Sequence, residues 1–320
     1  MPFKSTSAQS VGQSIGVYKD RDLSLRGDTQ SSRYIPPPVP PIEATGGNQT
    51  TPAGFTSGDY KYHVFTSSGT FTVTAGGNIE FLVVAGGGGG GWGNGGAGGA
   101  GGLRTNDPAV PAPIRISDTV SVSAGPYAIT VGGGGDSNTT PYTTNRAGGN
   151  SSIASLVVAS GGGAGGPAPT ASDMDGGSGG GQQGPAAGDS VASPDGLTPT
   201  VQGSAGGTRD GGGGGGGASQ IDGPIQTSPP YQPAAGMVGL ECPAFSSPII
   251  NPGCPMPSEW QTYVGANGMY AQGGWGYPGR DSSWNAPSPD YSGRANTGGG
   301  ADANDSGQGG AGIVIIRYPV

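Results

Sequence analysis

The chain has 320 residues, of which 71 are glycine and 30 are proline, so these two residue types make up about a third of it. That share is typical of low-complexity chains, but only 11% of the residues are charged and short apolar segments recur, which is unlike a solvated tail. The formal net charge of −8 disfavours nucleic-acid binding, because no basic patch is available to follow phosphates. The longest apolar runs have four or five residues, far fewer than the roughly 20 needed to cross a bilayer, so no membrane insertion is expected.

Residues 1–45 are predicted to form an N-terminal anchor and a proline-rich spacer. No apolar signal segment opens the chain, which predicts synthesis in a cytoplasm. The run Ile35–Ile42 (IPPPVPPI) should be a stiff polyproline II spacer rather than a ligand for a proline-reading domain. The segment before it is polar and serine-rich, and a disordered tail is the alternative interpretation. Its scattered apolar residues are the anchor candidates, namely Val11, Ile15, Val17, Leu23 and Leu25.

Residues 46–320 are predicted to form a glycine-rich β domain. Tyr60–Thr66 and Thr70–Thr74 alternate around a short glycine-containing turn, which predicts a hairpin, and Ile79–Val84 would extend it into a three-stranded meander. Ile114–Val122 and Tyr127–Val131 are expected to form a second strand pair. Two further strands are predicted at Ile153–Val158 and Ile313–Tyr318.

Several of these strands run directly into glycine. In Phe81–Gly102 (FLVVAGGGGGGWGNGGAGGAGG) a short apolar strand is followed by a tract that is almost free of side chains. An extended helix with three residues per turn points its N–H and C=O groups outward. Neighbouring helices of this kind can satisfy each other's backbone groups if glycine allows close approach. The pattern therefore predicts packed polyglycine II helices anchored by the strands.

A long strand-poor insertion separates the sixth predicted strand from the last one. Its first part, about 167–228, alternates glycine blocks with polar turns. Its second part, about 229–297, has less glycine and contains most of the tryptophan. Long loops of this kind in an ordered protein are usually either functional or disordered.

The chain resembles the glycine-rich domains of bacteriophage tail fibres and receptor-binding adhesins over Tyr60–Val320. The segments that carry the resemblance are Tyr60–Val73, Ile79–Gly91, Tyr127–Gly135, Ser155–Gly163 and Gly309–Pro319. In that family the glycine runs form packed polyglycine II helices, and loops at one end contact the host surface. The expected fold is all-β: a short-strand sandwich or meander packed with glycine-rich polyglycine II helices and long loops, behind an extended N-terminal anchor.

The resemblance implies a virion structural protein, assembled in the host cytoplasm, that serves as a tail fibre or spike component in host attachment. The alternative is a head decoration or tail-associated protein that binds no receptor. Expected partners are other virion proteins, contacted through the N-terminus, and a host-surface glycan or protein. A homo-oligomer, with a trimer as the guess from fibres in general, is also expected.

The aromatic residues of the second part of the insertion are the receptor-binding candidates. Tryptophan and tyrosine offer flat apolar faces with one polar handle, which suits stacking on sugar rings or filling a partner's pocket. The alternative is that they shield a small core of the insertion or pack against neighbouring subunits. The candidates are Trp260, Tyr263, Tyr270, Trp275, Tyr277, Trp284 and Tyr291.

Cys242 and Cys254 are spaced for a loop-closing disulfide, although a cytoplasmic origin favours reduced thiols at synthesis. Zinc is not expected, because no further cysteine exists and the single histidine, His63, lies far away in a predicted strand. The G-x-S-x-G match around Ser178 follows from glycine content and lacks the preceding strand that this motif requires. We therefore expect neither an enzyme nor a cofactor.

Overall fold

The computed structural model of the chain describes residues 41–91, 95–112, 114–136, 146–166, 173–182, 186–208, 212–219, 236–276, 292–303 and 307–320. The five anchor candidates and nearly all of the proline-rich spacer lie outside these residues. The unit Pro41–Val320 includes the first strand, Glu43–Thr45, within the segment that the sequence assigned to the anchor and spacer.

The described chain is mostly β, as predicted, with two short α-helices. The strands are β1 (Glu43–Thr45), β2 (Phe55–Ser57), β3 (Tyr60–Phe65), β4 (Gly69–Ala75), β5 (Gly77–Val84), β6 (Leu103–Thr105), β7 (Val120–Val122), β8 (Gly125–Thr130), β9 (Ser151–Ile153), β10 (Val157–Ala159), β11 (Leu240–Glu241), β12 (Met269–Tyr270) and β13 (Ile313–Pro319). The helices are a 3-10 helix (Pro243–Phe245), α1 (Ser247–Ile250) and α2 (Ser258–Val264).

The strands form three antiparallel sheets. One has five strands in the order β1-β4-β8-β9-β10, and another has six in the order β2-β3-β13-β5-β6, with β7 paired to β5. The third sheet is the pair β11-β12. The C-terminal strand β13 lies between β3 and β5, where Ile316 is opposite His63 on one side and Phe81 on the other.

The central strands β5 and β13 of the six-stranded sheet are buried on both faces. On one face Phe81, Val83, Val314 and Ile316 pack against the five-stranded sheet in what we call the sandwich core. Alternate residues of the same strands, among them Leu82 and Ile315, face the insertion. There they join the insertion core, which also contains Leu240, Cys242, Phe245, Ile250, Cys254, Trp260, Val264 and Tyr270. Burial on both faces explains why β5 and β13 are apolar at consecutive positions instead of alternating.

All three predicted strand pairings are wrong, including the extension of the hairpin into a meander, because β5 pairs with β13, β6 and β7 and not with β4. Strand β3 pairs with β2 and β13 whereas β4 pairs with β1 and β8, so these two strands lie in different sheets. Likewise β7 pairs with β5, and β8 pairs with β4 and β9. The turn after β3 crosses from one sheet to the other, which places Phe65 and Phe71 together in the sandwich core. Strand β3 then also pairs with the distant β13, and β4 with β1 and β8, and alternation alone does not specify such partners.

The glycine runs are hydrogen-bonded to one another with a period of three residues. In the run Gly86–Gly91 the six amides donate in turn to three neighbouring segments, at 2.7–3.1 Å. The first and fourth amides donate to carbonyls in 146–149. The second and fifth donate to carbonyls in 307–310, and the third and sixth to carbonyls in 96–99. This run thus donates to three neighbours in rotation, as expected of an extended helix with three residues per turn. We call this array the glycine lattice; its main segments are 86–91, 95–102, 132–136, 146–149, 160–166, 176–182, 203–207, 212–217, 272–276, 298–303 and 307–312.

The lattice requires glycine because its backbones touch. A Cβ on Gly88 would overlap the carbonyl oxygen of Gly163, and a Cβ on Gly98 would overlap that of Gly88. Ala97 and Ala100 are both fully buried in the lattice, and their spacing of three residues puts them on the same side of a three-fold helix. The strands β5, β8, β10 and β13 continue directly into lattice segments or follow them, so the lattice extends the sandwich.

A buried ion pair joins β6 to the loop 193–202. The side chains of Arg104 and Asp195 are both 0% exposed and lie 2.9 Å apart. Arg104 donates to both oxygens of Asp195 and to the carbonyls of Leu197, Pro199 and Val201, so all five guanidinium donors are used. The Asp195 carboxylate also accepts the amides of Val158 and Leu197. This network fixes the loop against β10 at the start of the lattice.

The single histidine is a satisfied core residue. His63 is 0% exposed; its Nδ1 lies 2.8 Å from the carbonyl oxygen of Gly46 and its Nε2 lies 3.0 Å from the hydroxyl of Tyr318. With Nδ1 protonated, the ring donates to Gly46 and accepts the Tyr318 hydroxyl. Its ring also stacks on Tyr318 and meets Phe71 edge-on. Burial lowers the pKa of His63 below its usual 6.5, although the bond to Gly46 acts in the opposite direction.

We expect His63 to make the fold less stable in mild acid. Because its pKa is lower in the folded chain, the unfolded chain binds the proton first as the pH falls below about 6.5, and the free energy of unfolding decreases by up to about 1.4 kcal/mol per pH unit. Urea denaturation of the full chain at pH 7.5 and pH 5 measures the loss. His63→Gln should show a smaller loss over the same interval; an equal loss would assign the pH dependence to other groups.

Candidate functional site

The aromatic insertion contains a cleft of about 630 Å³. Its volume is in the range of small-molecule pockets, roughly 300–1,000 Å³. The cleft is lined by Gly236, Val238, Glu241, Thr262, Tyr263, Val264, Gly265, Ala266, Asn267, Met269, Gln272 and Trp275.

One wall of the cleft belongs to the glycine lattice. The amide of Gly273 donates to the carbonyl of Met237, and the amide of Gly274 donates to the carbonyl of Gly98 at the same 3.0 Å. The amide of Trp275 donates to Asp302 Oδ1 at 2.8 Å, and its carbonyl accepts the amide of Ala303 at the same distance. The backbone that carries Trp275 is therefore fixed on both sides by hydrogen bonds.

The opposite wall is α2 and the turn that leads from it to β12. Helix α2 is held by Trp260 at its inner face, which is 2% exposed, donates Nε1–H to the carbonyl of Asn296 at 3.0 Å and meets Tyr270 edge-on. Tyr270 is fully buried and donates its hydroxyl to the carbonyl of Phe245 at 2.7 Å. Trp260 and Tyr270 thus hold the wall in place without lining the cleft.

The polar groups of the cleft are partly paired with one another. Asn267 Nδ2 donates to Glu241 Oε1 at 2.9 Å, and the hydroxyl of Tyr263 donates to Gln272 Oε1 at 3.1 Å. Burial raises the pKa of Tyr263, more than the nearby guanidinium of Arg294 lowers it, so the hydroxyl remains a donor. Among the described residues, Glu241 Oε2, Asn267 Oδ1 and Gln272 Nε2 have no further partner and can bind a ligand.

The structure divides the predicted aromatic candidates into two groups. Trp260 and Tyr270 belong to the insertion core, and their rings are buried there. Their position is the one that the alternative interpretation describes, in which the aromatic residues shield a core of the insertion. Tyr263 and Trp275 are partly exposed and line the cleft. The remaining candidates, Tyr277, Trp284 and Tyr291, lie outside the described residues.

Cys242 and Cys254 are not joined; both are free thiols buried in the insertion core. Burial raises the pKa of each thiol, and for Cys242 the carboxylates of Asp107 and Glu241 add to the effect. A raised pKa keeps a thiol protonated and poorly reactive. In this structure the two residues therefore contribute as small apolar side chains.

Sequence reasoning missed the polar residues of the cleft and both helices. Glu241, Asn267 and Gln272 are unremarkable in sequence, and only the pairing of β11 with β12 and the position of α2 bring them to one place. A signal for α2 was available: Pro257 precedes a segment in which Trp260 and Val264 are spaced four apart, which is one helical face.

A second opening, of about 490 Å³, lies beside β5 and β7. Its amide side chains are already used by the fold: Asn106 accepts the amide of Phe81 and donates to the carbonyl of Ile79, while Asn78 accepts the hydroxyl of Ser121. Asp118 accepts the amide of Thr198. We therefore take the cleft with Trp275 as the candidate site.

Within the described ranges, no group of three or more His, Cys, Asp or Glu side chains could hold a metal ion. Neither of the two described α-helices has the length and apolar character needed to cross a membrane.

Residues 66–319 match the family described as the glycine-rich domain. This match covers most of the chain, so the chain belongs to that family. No curated protein matches the chain. The family is defined by its glycine-rich domain and does not by itself place the chain on a tail fibre.

Proposed function

We propose that the chain is a bacteriophage virion structural protein, a tail fibre or spike component that attaches to the host surface through the cleft of its glycine-rich domain. The observation that carries the proposal is the position of Trp275 and Tyr263: two partly exposed aromatic residues in one concave site, with Trp275 on backbone that the lattice holds rigidly. Binding sites gain affinity when their anchoring side chains are already ordered.

The remaining parts of the chain suit attachment to a particle. Residues 1–42 are proposed to contact other virion proteins and to hold the domain away from the particle surface. A homo-oligomer, with a trimer as our working assumption, would present several clefts to one cell and increase avidity. Assembly would take place in the host cytoplasm.

Cell binding tests this proposal. The full chain, labelled with a fluorophore, is incubated with a panel of bacterial strains, and bound label is measured against concentration. We expect saturable binding to one or more strains and a loss of about tenfold or more in Trp275→Ala, because buried aromatic anchors dominate such interfaces. Tyr127→Ala, which changes a partly exposed aromatic residue outside the cleft, is the matched control, and urea denaturation confirms that both variants fold.

The second candidate function is a head decoration or tail-associated structural protein that binds no receptor. The burial of Trp260 and Tyr270 favours it, because these aromatic residues stabilise the insertion itself. A folded wild-type chain that binds none of the strains and does not reduce infection by phage would overturn the attachment proposal and support this second function.

A further inference from the structure

We propose that the ligand of the cleft is a neutral saccharide, held by Trp275 and by the polar side chains of Glu241, Asn267 and Gln272. The inference names a ligand class for the site of the proposed function and rests on that function only for its biological role. Its physical basis is the combination of residues that line the cleft.

The lining of the cleft combines an aromatic residue with planar polar side chains. A sugar ring presents C–H groups on its faces and hydroxyls around its edge. Trp275 is the largest aromatic residue of the lining, and Val238, another lining residue, is 59% exposed. Around them, Glu241 Oε2 and Asn267 Oδ1 accept hydrogen bonds and Gln272 Nε2 donates, which matches hydroxyls that both donate and accept.

The polar side chains of the cleft, among them Glu241 and Gln272, are already oriented by contacts within the protein. Glu241 is fixed by the pairing of β11 with β12, opposite Met269, and by Asn267 at 2.9 Å. Gln272 is oriented by the hydroxyl of Tyr263, and its carbonyl accepts the amide of Gly300 at 2.9 Å. Ordering these side chains in advance lowers the entropic cost of binding a small hydroxylated ligand.

The charge of the cleft lining favours a neutral ligand. Glu241 is the only Asp, Glu, Lys, Arg or His among the described lining residues. Arg294 lies 5.6 Å from the ring of Tyr263 but lines a neighbouring small cavity and is 3.7 Å from Glu259. A single carboxylate disfavours acidic sugars by repulsion and accepts well from the hydroxyls of neutral ones.

Direct titration tests the inference. The full chain is titrated by calorimetry and by saturation-transfer NMR with glucose, galactose, N-acetylglucosamine, lactose, cellobiose and chitobiose, and with N-acetylneuraminic acid as the acidic comparison. We expect saturable binding of at least one neutral sugar and binding of the acidic sugar that is about tenfold weaker or absent. Trp275→Ala should abolish binding, and Glu241→Gln should weaken it several-fold.

The controls separate the cleft from the rest of the surface. Val191, which is 38% exposed and lies outside the cleft, is changed in Val191→Ala; this variant should bind sugar like the wild type, whereas Val238→Ala should bind more weakly. Absence of saturable binding to every neutral sugar up to about 50 mM, or binding that is unchanged in Trp275→Ala, would overturn the inference.

The outcomes also distinguish this inference from the proposed function. If the chain binds cells through Trp275 but binds no sugar, and the sugars do not compete, the ligand is a protein; the saccharide inference then fails and attachment stands. If sugar binds in the cleft but no strain is bound and infection is unaffected, attachment fails and the saccharide inference stands.

Discussion

Gly98→Ala is expected to lower the free energy of unfolding of the full chain by about 3 kcal/mol, the upper part of the range for inserting a methyl group into a packed interior. Gly98 donates to the carbonyl of Ala301 at 2.8 Å, and an added Cβ would overlap the carbonyl oxygen of Gly88. Backbone cannot move away there, because Gly88 itself donates to Gly99 at 2.8 Å. The shift of the urea midpoint at constant slope measures the effect.

Gly133→Ala is the matched control for this substitution. Gly133 is a lattice residue, yet it is exposed, and a Cβ on it would meet no described atom within 4 Å. Its φ is not positive, so alanine should leave the free energy of unfolding unchanged or raise it by up to about 1 kcal/mol, because alanine lowers the conformational entropy of the unfolded chain. Equal urea midpoints for Gly98→Ala and Gly133→Ala would contradict close packing of the glycine runs.

Arg104→Met is expected to cost about 3–5 kcal/mol of stability, because it leaves the carboxylate of Asp195 buried without its partner. Both side chains are fully buried, and three carbonyls of the loop 193–202 lose their donor as well. Arg104→Lys should also be strongly destabilising, since an ammonium group cannot reproduce the five donors of the guanidinium. Thermal or urea unfolding of the full chain measures both changes.

The pair Arg294 and Glu259, in which the carboxylate is exposed, provides the comparison. These groups are 3.7 Å apart, and the Glu259 side chain is 71% exposed. Glu259→Gln should therefore cost less than about 1 kcal/mol. If Arg104→Met were no more destabilising than Glu259→Gln, the Arg104–Asp195 network would not hold the loop.

The glycine lattice was predictable because its cause is local. Runs such as Gly86–Gly91 offer no side chains to bury, and a strand at one end fixes their starting point, so packing against similar runs is the available way to satisfy the backbone. The positions of β5 and β13 were predictable for a similar reason: FLVV and IVII are too short for helices and too apolar for exposed strands.

The contacts that are distant in sequence were not predictable. Which strands pair depends on how side chains of both sheets, among them Phe65 and Phe71, pack in the sandwich core, and alternation within β3 and β4 does not encode this. Arg104 and Asp195 are 91 positions apart, and nothing near either residue indicates the other. The cleft was not predictable for the same reason, since β11, α2 and Gln272 meet only after the insertion has folded. The sequence identified the aromatic residues of the insertion as candidates. It could not distinguish Trp260 and Tyr270, which are buried, from Tyr263 and Trp275, which line the cleft.

The rigidity of the cleft depends on the glycine lattice. Trp275 sits next to Gly273 and Gly274, which are bonded to other lattice segments, so the site is rigid only if the glycine runs are ordered. A chain in which these runs were flexible linkers would present the same residues without a fixed geometry, at a higher entropic cost of binding.

Amide hydrogen exchange of the full chain, followed residue by residue by NMR, tests this order most directly. The account predicts that the amides of Gly86–Gly91, Gly273 and Gly274 exchange as slowly as those of β5, because all of them donate to carbonyls in the folded core. Exchange of the lattice amides at the rate of an unfolded chain, while β5 remains protected, would contradict the account.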